Sequence, residues 1–150
     1  GIVDGEGTIT IECSRDDKRV TNSKRQYLYS RRHGGIKYSV HTAVYNTNED
    51  LVRWFEVTFG GRVYRMTRGN VKHKAEWMWR KNSKEAVDFL TLIKPWLKLK
   101  RLQAETAIEF QAGIKTKRRK ALTDKELAVR ETQRILMAEL NRKGLAETEK

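Results

Sequence analysis

The chain has 150 residues, with 32 Lys plus Arg against 19 Asp plus Glu and a formal net charge of +13. Its 38% hydrophobic content, including four Trp, five Tyr and four Phe, suits one domain with a real core and excludes a disordered chain. A lone cysteine, Cys13, excludes a disulfide framework and a cysteine-based zinc site, and no apolar run approaches the roughly 18 residues of a membrane span. With no signal peptide visible, the expectation is a soluble, intracellular protein. The positive excess asks for a polyanion, and nucleic acid is favoured over an anionic membrane or a merely solvated basic surface.

The first seven residues, "GIVDGEG", set Asp4 and Glu6 among Gly1, Gly5 and Gly7. "TITIECS" then alternates, with Ile9, Ile11 and Cys13 expected on a buried face and Thr8, Thr10, Glu12 and Ser14 on the other. A long basic connection closes at Gly34-Gly35, a length that marks function or disorder. The second strand, "IKYSVHTAVYN", points Tyr38, Val40, Thr42 and Val44 inward and Lys37, Ser39, His41 and Ala43 outward. Thr47 or Asn48 caps a helix whose stripe is Leu51, Trp54, Phe55 and Phe59, stopped by Gly60-Gly61.

"RVYRMT", the turn "RGN" and "VKHKAEWMWR" predict a hairpin, with Ala75, Trp77 and Trp79 facing inward. "NSKEAVDFLTLIK" predicts a capped helix broken at Pro95. A further helix is expected to start at that proline and to end at Gly113. The basic run "KTKRRK" precedes a last helix with a Thr123–Glu126 capping box, a Leu122–Leu127 staple and a stop at Gly144. Leu127, Ile135, Leu136 and Leu140 offer it a docking stripe. The pattern is α+β, one four-stranded antiparallel sheet with helices on one face.

The uncovered face then carries Thr8, Thr10, Glu12, Ser14, Lys37, Ser39, His41, Arg65, Thr67, Arg68, Lys72, Lys74, Glu76, Met78 and Arg80. Polar and cationic side chains at two-residue spacing suit a β-ribbon in the DNA major groove, although an antiparallel sheet can simply be wet on one side. Lys117, Arg118 and Arg119 fit either a clamp on backbone phosphates or a solvated linker.

Gly1-Ile2-Val3-Asp4-Gly5-Glu6-Gly7 resembles the last seven positions of the LAGLIDADG motif of homing endonucleases. "VYNTNEDLVRWFEVTFGGRVY" resembles the family's second strand, helix and Gly-Gly turn, and "IKPWLKLKRLQAETAIEF" its late helix. The resemblance spans residues 1–113, leaving 114–150 as a basic C-terminal segment with a helix. It implies the αββαββα fold with a saddle-shaped sheet, and a single-motif homodimer meeting through Gly1, Ile2, Asp4 and Gly5.

By matching positions, the resemblance implies that Glu6 is the catalytic acid and metal ligand, with the Gly5 carbonyl beside it and Mg²⁺ (or Mn²⁺) as cofactor. Asn46 matches the residue that positions water, and Lys100 the basic residue near the scissile phosphate. Asp4 is implied to be structural, satisfying backbone N–H groups, and Lys98 falls on another helix face as a phosphate contact. The implied activity is site-specific double-strand DNA cleavage at a long pseudo-palindromic site in intron or intein mobility. The alternative is an intron RNA maturase, or a non-catalytic DNA-binding regulator with the same fold. Relatives occur in organelles and in prokaryotes.

Overall fold

The computed structural model describes residues 1–15, 36–66, 75–114 and 122–148. In chain order these form α1 (Ile2–Glu6), β1 (Gly7–Arg15), β2 (Ile36–Asn46), α2 (Glu49–Phe59), β3 (Arg62–Met66), β4 (Glu76–Asn82), α3 (Ser83–Ile93), a 3₁₀ turn (Lys94–Trp96), α4 (Arg101–Ala112) and α5 (Asp124–Thr148). The strands make one antiparallel sheet in the order β1-β2-β4-β3.

Register decides which side chains face the helices. Ile9 lies opposite Thr42 and Ile11 opposite Val40, while Val44, Trp79 and Val63 form one row across three strands. Ile9, Val40, Thr42, Val44 and Trp79 are fully buried on that face. Thr42 stays satisfied there because its hydroxyl donates to the Thr8 carbonyl at 3.1 Å. Cys13 shares the parity but is exposed, so it is not the core residue expected.

Asn48 caps α2 by accepting the Leu51 N–H at 3.3 Å. Gly60 (φ 73) and Gly61 (φ 90) then turn the chain into β3, in a backbone region open to glycine. The Trp79 indole N–H donates to the Gly60 carbonyl at 2.7 Å, and a Cβ on Gly61 would meet that nitrogen at 2.8 Å. Trp79 packs against Phe55 (5.1 Å between centroids) and Phe89 (4.8 Å), which joins α2 and α3 to the sheet. The buried stripe of α2 is Val52 and Phe55. Leu51 and Phe59 pack against the core beside them as expected, whereas Trp54, also expected inside, is 51% exposed.

The helix expected from Pro95 does not begin there. Pro95 sits in the 3₁₀ turn, residues 97–100 are irregular, and α4 opens at Arg101. The capping box of α5 forms as expected: Glu126 N–H donates to Thr123 Oγ1 (3.2 Å), and Thr123 N–H to Glu126 Oε2 (3.0 Å). α5 continues through Gly144 to Thr148 rather than stopping. It docks through Met137, which is buried in the common core, while Ile135 and Leu136 of the expected stripe are half exposed. Gln103 donates its amide to the Leu140 carbonyl (3.4 Å), and Asn141 donates its own to the Ile9 carbonyl of β1 (2.9 Å).

Candidate active site and nucleic-acid interface

α1 ends where β1 begins, and Gly7 makes that junction. Its N–H bonds to the Val3 carbonyl, and a Cβ there would lie 2.6 Å from that oxygen. The sharp exit leaves Glu6 exposed at the end of the strand pair. Asn46, the last residue of β2, donates its side-chain amide to Glu6 Oε2. The orientation of Asn46 is fixed from behind, because its Oδ1 accepts the Asn48 N–H at 2.8 Å. Two residues 40 apart in sequence thus share one corner of the fold.

Asp4 turns the opposite way. Its carboxylate accepts the backbone N–H groups of Lys98 (2.9 Å), Leu99 (3.2 Å) and Lys100 (3.1 Å). Burial pushes this carboxyl up, but the hydrogen bonds from Lys98, Lys100 and Leu99 outweigh it and hold the group below the usual carboxylate range. The Lys100 ammonium returns across the same gap, donating to the carbonyls of Val3 (3.2 Å) and Asp4 (2.5 Å). Burial lowers the pKa of that amine, against the pull of the Asp4 charge. Lys100 therefore binds the end of α1 and not the Glu6 carboxylate. Lys98 lies in the irregular link, its N–H on Asp4 and its side chain exposed, not on the helix face expected for it.

A cleft of about 410 Å³ opens beside Glu6, shared by Thr10, Leu99, Lys100, Gln103 and Asn141. Gln103 and Asn141 had no signal in the sequence, since only the docking of α5 on β1 brings them there. Among the described residues no three His, Cys, Asp or Glu side chains cluster as a metal cage. One exposed carboxylate beside a backbone carbonyl still fits Mg²⁺, which keeps several waters and takes substrate phosphate oxygens as ligands.

The face of the sheet away from the core carries Thr8, Thr10, Glu12, Ser14, Lys37, Ser39, His41, Glu76 and Arg80, as the alternation requires. Two expectations are corrected. Arg65 lies in the row of Asn46 and Trp77, on the helix side, with its guanidinium 6.0 Å from the Trp77 ring centroid, so it does not join the outer face. The parity of β3 instead turns Arg62, Tyr64 and Met66 outward, and that alternation was readable once Val63 was taken as the inward residue. Met78 is on the outer face but only 8% exposed, set between its cross-strand partners Tyr45 and Tyr64. It is a packing residue rather than a surface contact. Thr67, Arg68, Lys72, Lys74, Lys117, Arg118 and Arg119 lie outside the described residues.

A second hollow, of about 400 Å³, is apolar and flanks α1. Ile2, Trp54, Phe59, Phe89, Ile93 and Trp96 line it. Trp96 is 71% exposed at its rim. Gly1 and Gly5 are also exposed, with open space where a Cβ would be. Among the described residues, no helix is long and apolar enough to cross a membrane.

No protein-family model and no curated protein matches the sequence. Solved structures do match. The homing endonuclease I-CvuI, in complex with the I-CreI target, aligns over 93% of this chain and 77% of its own at 15% identity and TM-score 0.67. The homing endonuclease I-TnaI aligns over 98% of this chain and 92% of its own at 18% identity and TM-score 0.65. This chain has the LAGLIDADG homing-endonuclease fold. The LAGLIDADG meganuclease I-AabMI, bound to uncleaved DNA, is matched over 88% of this chain but 42% of its own, at 14% identity and TM-score 0.61.

Proposed function

We propose that this protein is a homodimeric, site-specific double-strand DNA endonuclease that hydrolyses one phosphodiester per protomer, in the manner of homing endonucleases of introns or inteins. The observation that carries the reading is the Glu6–Asn46 pair, an exposed carboxylate held by an amide where α1 meets the sheet. The fold around it is shared with enzymes solved on DNA targets. The net charge of +13 and the polar outer face of the sheet support duplex binding.

Each residue then has a task set by its chemistry. Glu6 and the Gly5 carbonyl offer hard oxygen donors to a divalent cation, Mg²⁺ or Mn²⁺. When bound, that cation neutralises charge and acts as a Lewis acid at the scissile phosphate. Asn46 orients water through its amide; lacking a basic atom, it leaves deprotonation to solvent. Lys100 lends positive charge to the cleft while fixing the end of α1. Asp4 holds the motif to the 97–100 link and takes no part in the chemistry.

The dimer rests on the surface around α1. Nothing among the described residues requires glycine at Gly1 or Gly5, whereas close approach of a second backbone would. The apolar hollow beside them gives such a contact area to bury. Two protomers would bring two Glu6 carboxylates to one duplex, one for each strand. The work belongs in a compartment that holds DNA, in a prokaryote or an organelle.

The test is incubation of the protein with a randomised duplex library in Mg²⁺ and in EDTA, followed by recovery of cleaved ends. Cleavage in Mg²⁺ alone, lost in Glu6→Gln by at least about 10²-fold with binding retained, supports the reading. A Glu6→Gln protein that cuts at the wild-type rate ends it. Binding without cleavage points to a non-catalytic regulator, and stimulated splicing of an intron transcript to a maturase.

A further inference from the structure

We infer that the Asn46 amide is a latch on Glu6: it caps the carboxylate that is to hold the cation, and the site loads only when a duplex phosphate draws that amide away. This rests on the nuclease reading above and states how the same site is regulated.

An asparagine side chain has a donor end and an acceptor end, and the end that faces a carboxylate decides what it does there. The acceptor end of Asn46 is committed, because Oδ1 takes the Asn48 backbone N–H at 2.8 Å. Asn48 is itself held at the head of α2, where its Oδ1 accepts the Leu51 N–H at 3.3 Å. Turning the Asn46 amide over would set its NH2 group against an N–H donor and its oxygen against a carboxylate. The fold therefore presents the amide N–H to Glu6 Oε2, and the oxygen that could join a metal shell is turned away.

A hydrogen-bond donor and a hard cation ask for the same lone pairs. An amide hydrogen on Glu6 Oε2 draws on the charge that would bind Mg²⁺ and adds positive charge beside it. Among the described residues, the Asn46 amide is the one donor on Glu6. The Lys100 ammonium is engaged elsewhere, on the carbonyls of Val3 and Asp4.

Both partners of the latch are open to an incoming strand. Glu6 is exposed, and Asn46 ends β2 beside it. A phosphate oxygen is a charged acceptor for the amide, and it is also a ligand that Mg²⁺ favours. One exchange then does two things. The Asn46 amide passes from Glu6 to the phosphate or its attacking water, and Glu6 is released for the cation. The site is loaded together with its substrate rather than before it.

The opposite role has the opposite sign. A hydrogen bond that orients a ligating carboxylate strengthens a metal site, and its loss weakens binding about tenfold to a hundredfold. A latch weakens the site until it opens, so its loss tightens binding.

The experiment measures Mn²⁺ binding by the full chain without duplex, from loss of the free-ion electron paramagnetic resonance signal. Wild type is compared with Asn46→Ala, Asn46→Leu, Glu6→Gln and the Glu6→Gln/Asn46→Ala double variant. Both single Asn46 variants are expected to bind about tenfold to a hundredfold more tightly than wild type, since a hydrogen bond to a charged group no longer has to break. The gain disappears in the double variant. A duplex selected in EDTA from a randomised pool should tighten Mn²⁺ binding by wild type more than by Asn46→Ala. Asn46→Leu is close in shape to the native side chain, so a packing defect in the alanine variant does not decide the result, and melting in EDTA checks that each protein is folded. Unchanged or weaker binding by both Asn46 variants overturns the latch. So does wild-type binding as tight without duplex as with it. Mn²⁺ uptake by wild type on duplex, with no gain in the variants, removes the latch and leaves the nuclease reading standing. No uptake by any of the proteins, with or without duplex, removes both.

Discussion

Asp4 and Lys100 grip each other in both directions: the Asp4 carboxylate accepts the Lys100 backbone N–H at 3.1 Å, and the Lys100 ammonium donates to the Asp4 carbonyl. The two residues are 96 apart in sequence. Their double tie fastens a five-residue helix that has no side-chain cap of its own. A helix so short has little intrinsic stability, so its position depends on this tertiary attachment.

Asp4→Asn is therefore expected to destabilise the fold by about 1.5–3 kcal/mol at neutral pH, the range for hydrogen bonds to a charged group. The folded Asp4 carboxyl titrates below its ordinary value of 3.8. Its contribution is fully present above that value and is lost as the pH falls through the lower, folded one. Urea denaturation of wild type and variant across the acid range should show the gap closing below pH 3.8. A gap that widens on acidification would refute this.

Gly7→Ala should be damaging out of proportion to one methyl group. The added carbon meets the backbone oxygen of Val3 at 2.6 Å, and backbone gives way less readily than a side-chain tip. A cost of about 1–3 kcal/mol is expected from such overpacking. Because relief displaces Glu6, cleavage should fall by more than the stability loss explains. Thermal melting and single-turnover cleavage on the same samples measure both.

Trp96→Glu tests the apolar hollow. Trp96 is 71% exposed within the single chain, so a charge there costs the isolated protomer little. In a dimer that buries this surface, the same charge is desolvated and opposes association. Sedimentation velocity should show wild-type dimers and variant protomers with unchanged melting temperature. An unchanged sedimentation coefficient in the variant removes this surface from the interface.

Lys37→Ala should separate backbone contact from base reading. Lys37 is exposed at the end of β2 farthest from Asn46, where a lysine acts as a point charge on phosphate. In a homodimer the substitution removes two such contacts, which makes the log–log salt slope shallower by about 1.8 and weakens all duplexes alike. Binding titrations at several salt concentrations check it, and a sequence-dependent loss would count against the role.

Much of this architecture was legible in the chain. The alternation of "TITI" and of "IKYSVHTAVYN" set the buried faces of β1 and β2, and Asn48 with Gly60-Gly61 bracketed α2. Local period and capping chemistry suffice for such elements. Glu6 and Asn46 stand out in the sequence only through positions matching the LAGLIDADG family that it resembles. Their hydrogen bond required the fold, since nothing local links positions 40 apart. Other misreadings have equally physical causes. Proline suits the first turn of an α-helix, but it suits a 3₁₀ turn as well, and so Lys98 and Lys100 were placed on a helix that starts only at Arg101. Arg65 was misplaced because a short strand gives few residues to fix its parity. The contribution of Asn141 depends on how one helix lies on one strand, which no periodicity encodes.

The hydrogen bond from Asn141 to the Ile9 carbonyl has an effect beyond the cleft it borders. β1 is an outermost strand, and a bare strand margin invites pairing with any extended peptide, including an identical one. With α5 packed on β1 and the Asn141 amide occupying the Ile9 carbonyl, part of that margin is withheld from β-augmentation. A chain of net charge +13 is thereby better guarded against ribbon-like association on this side.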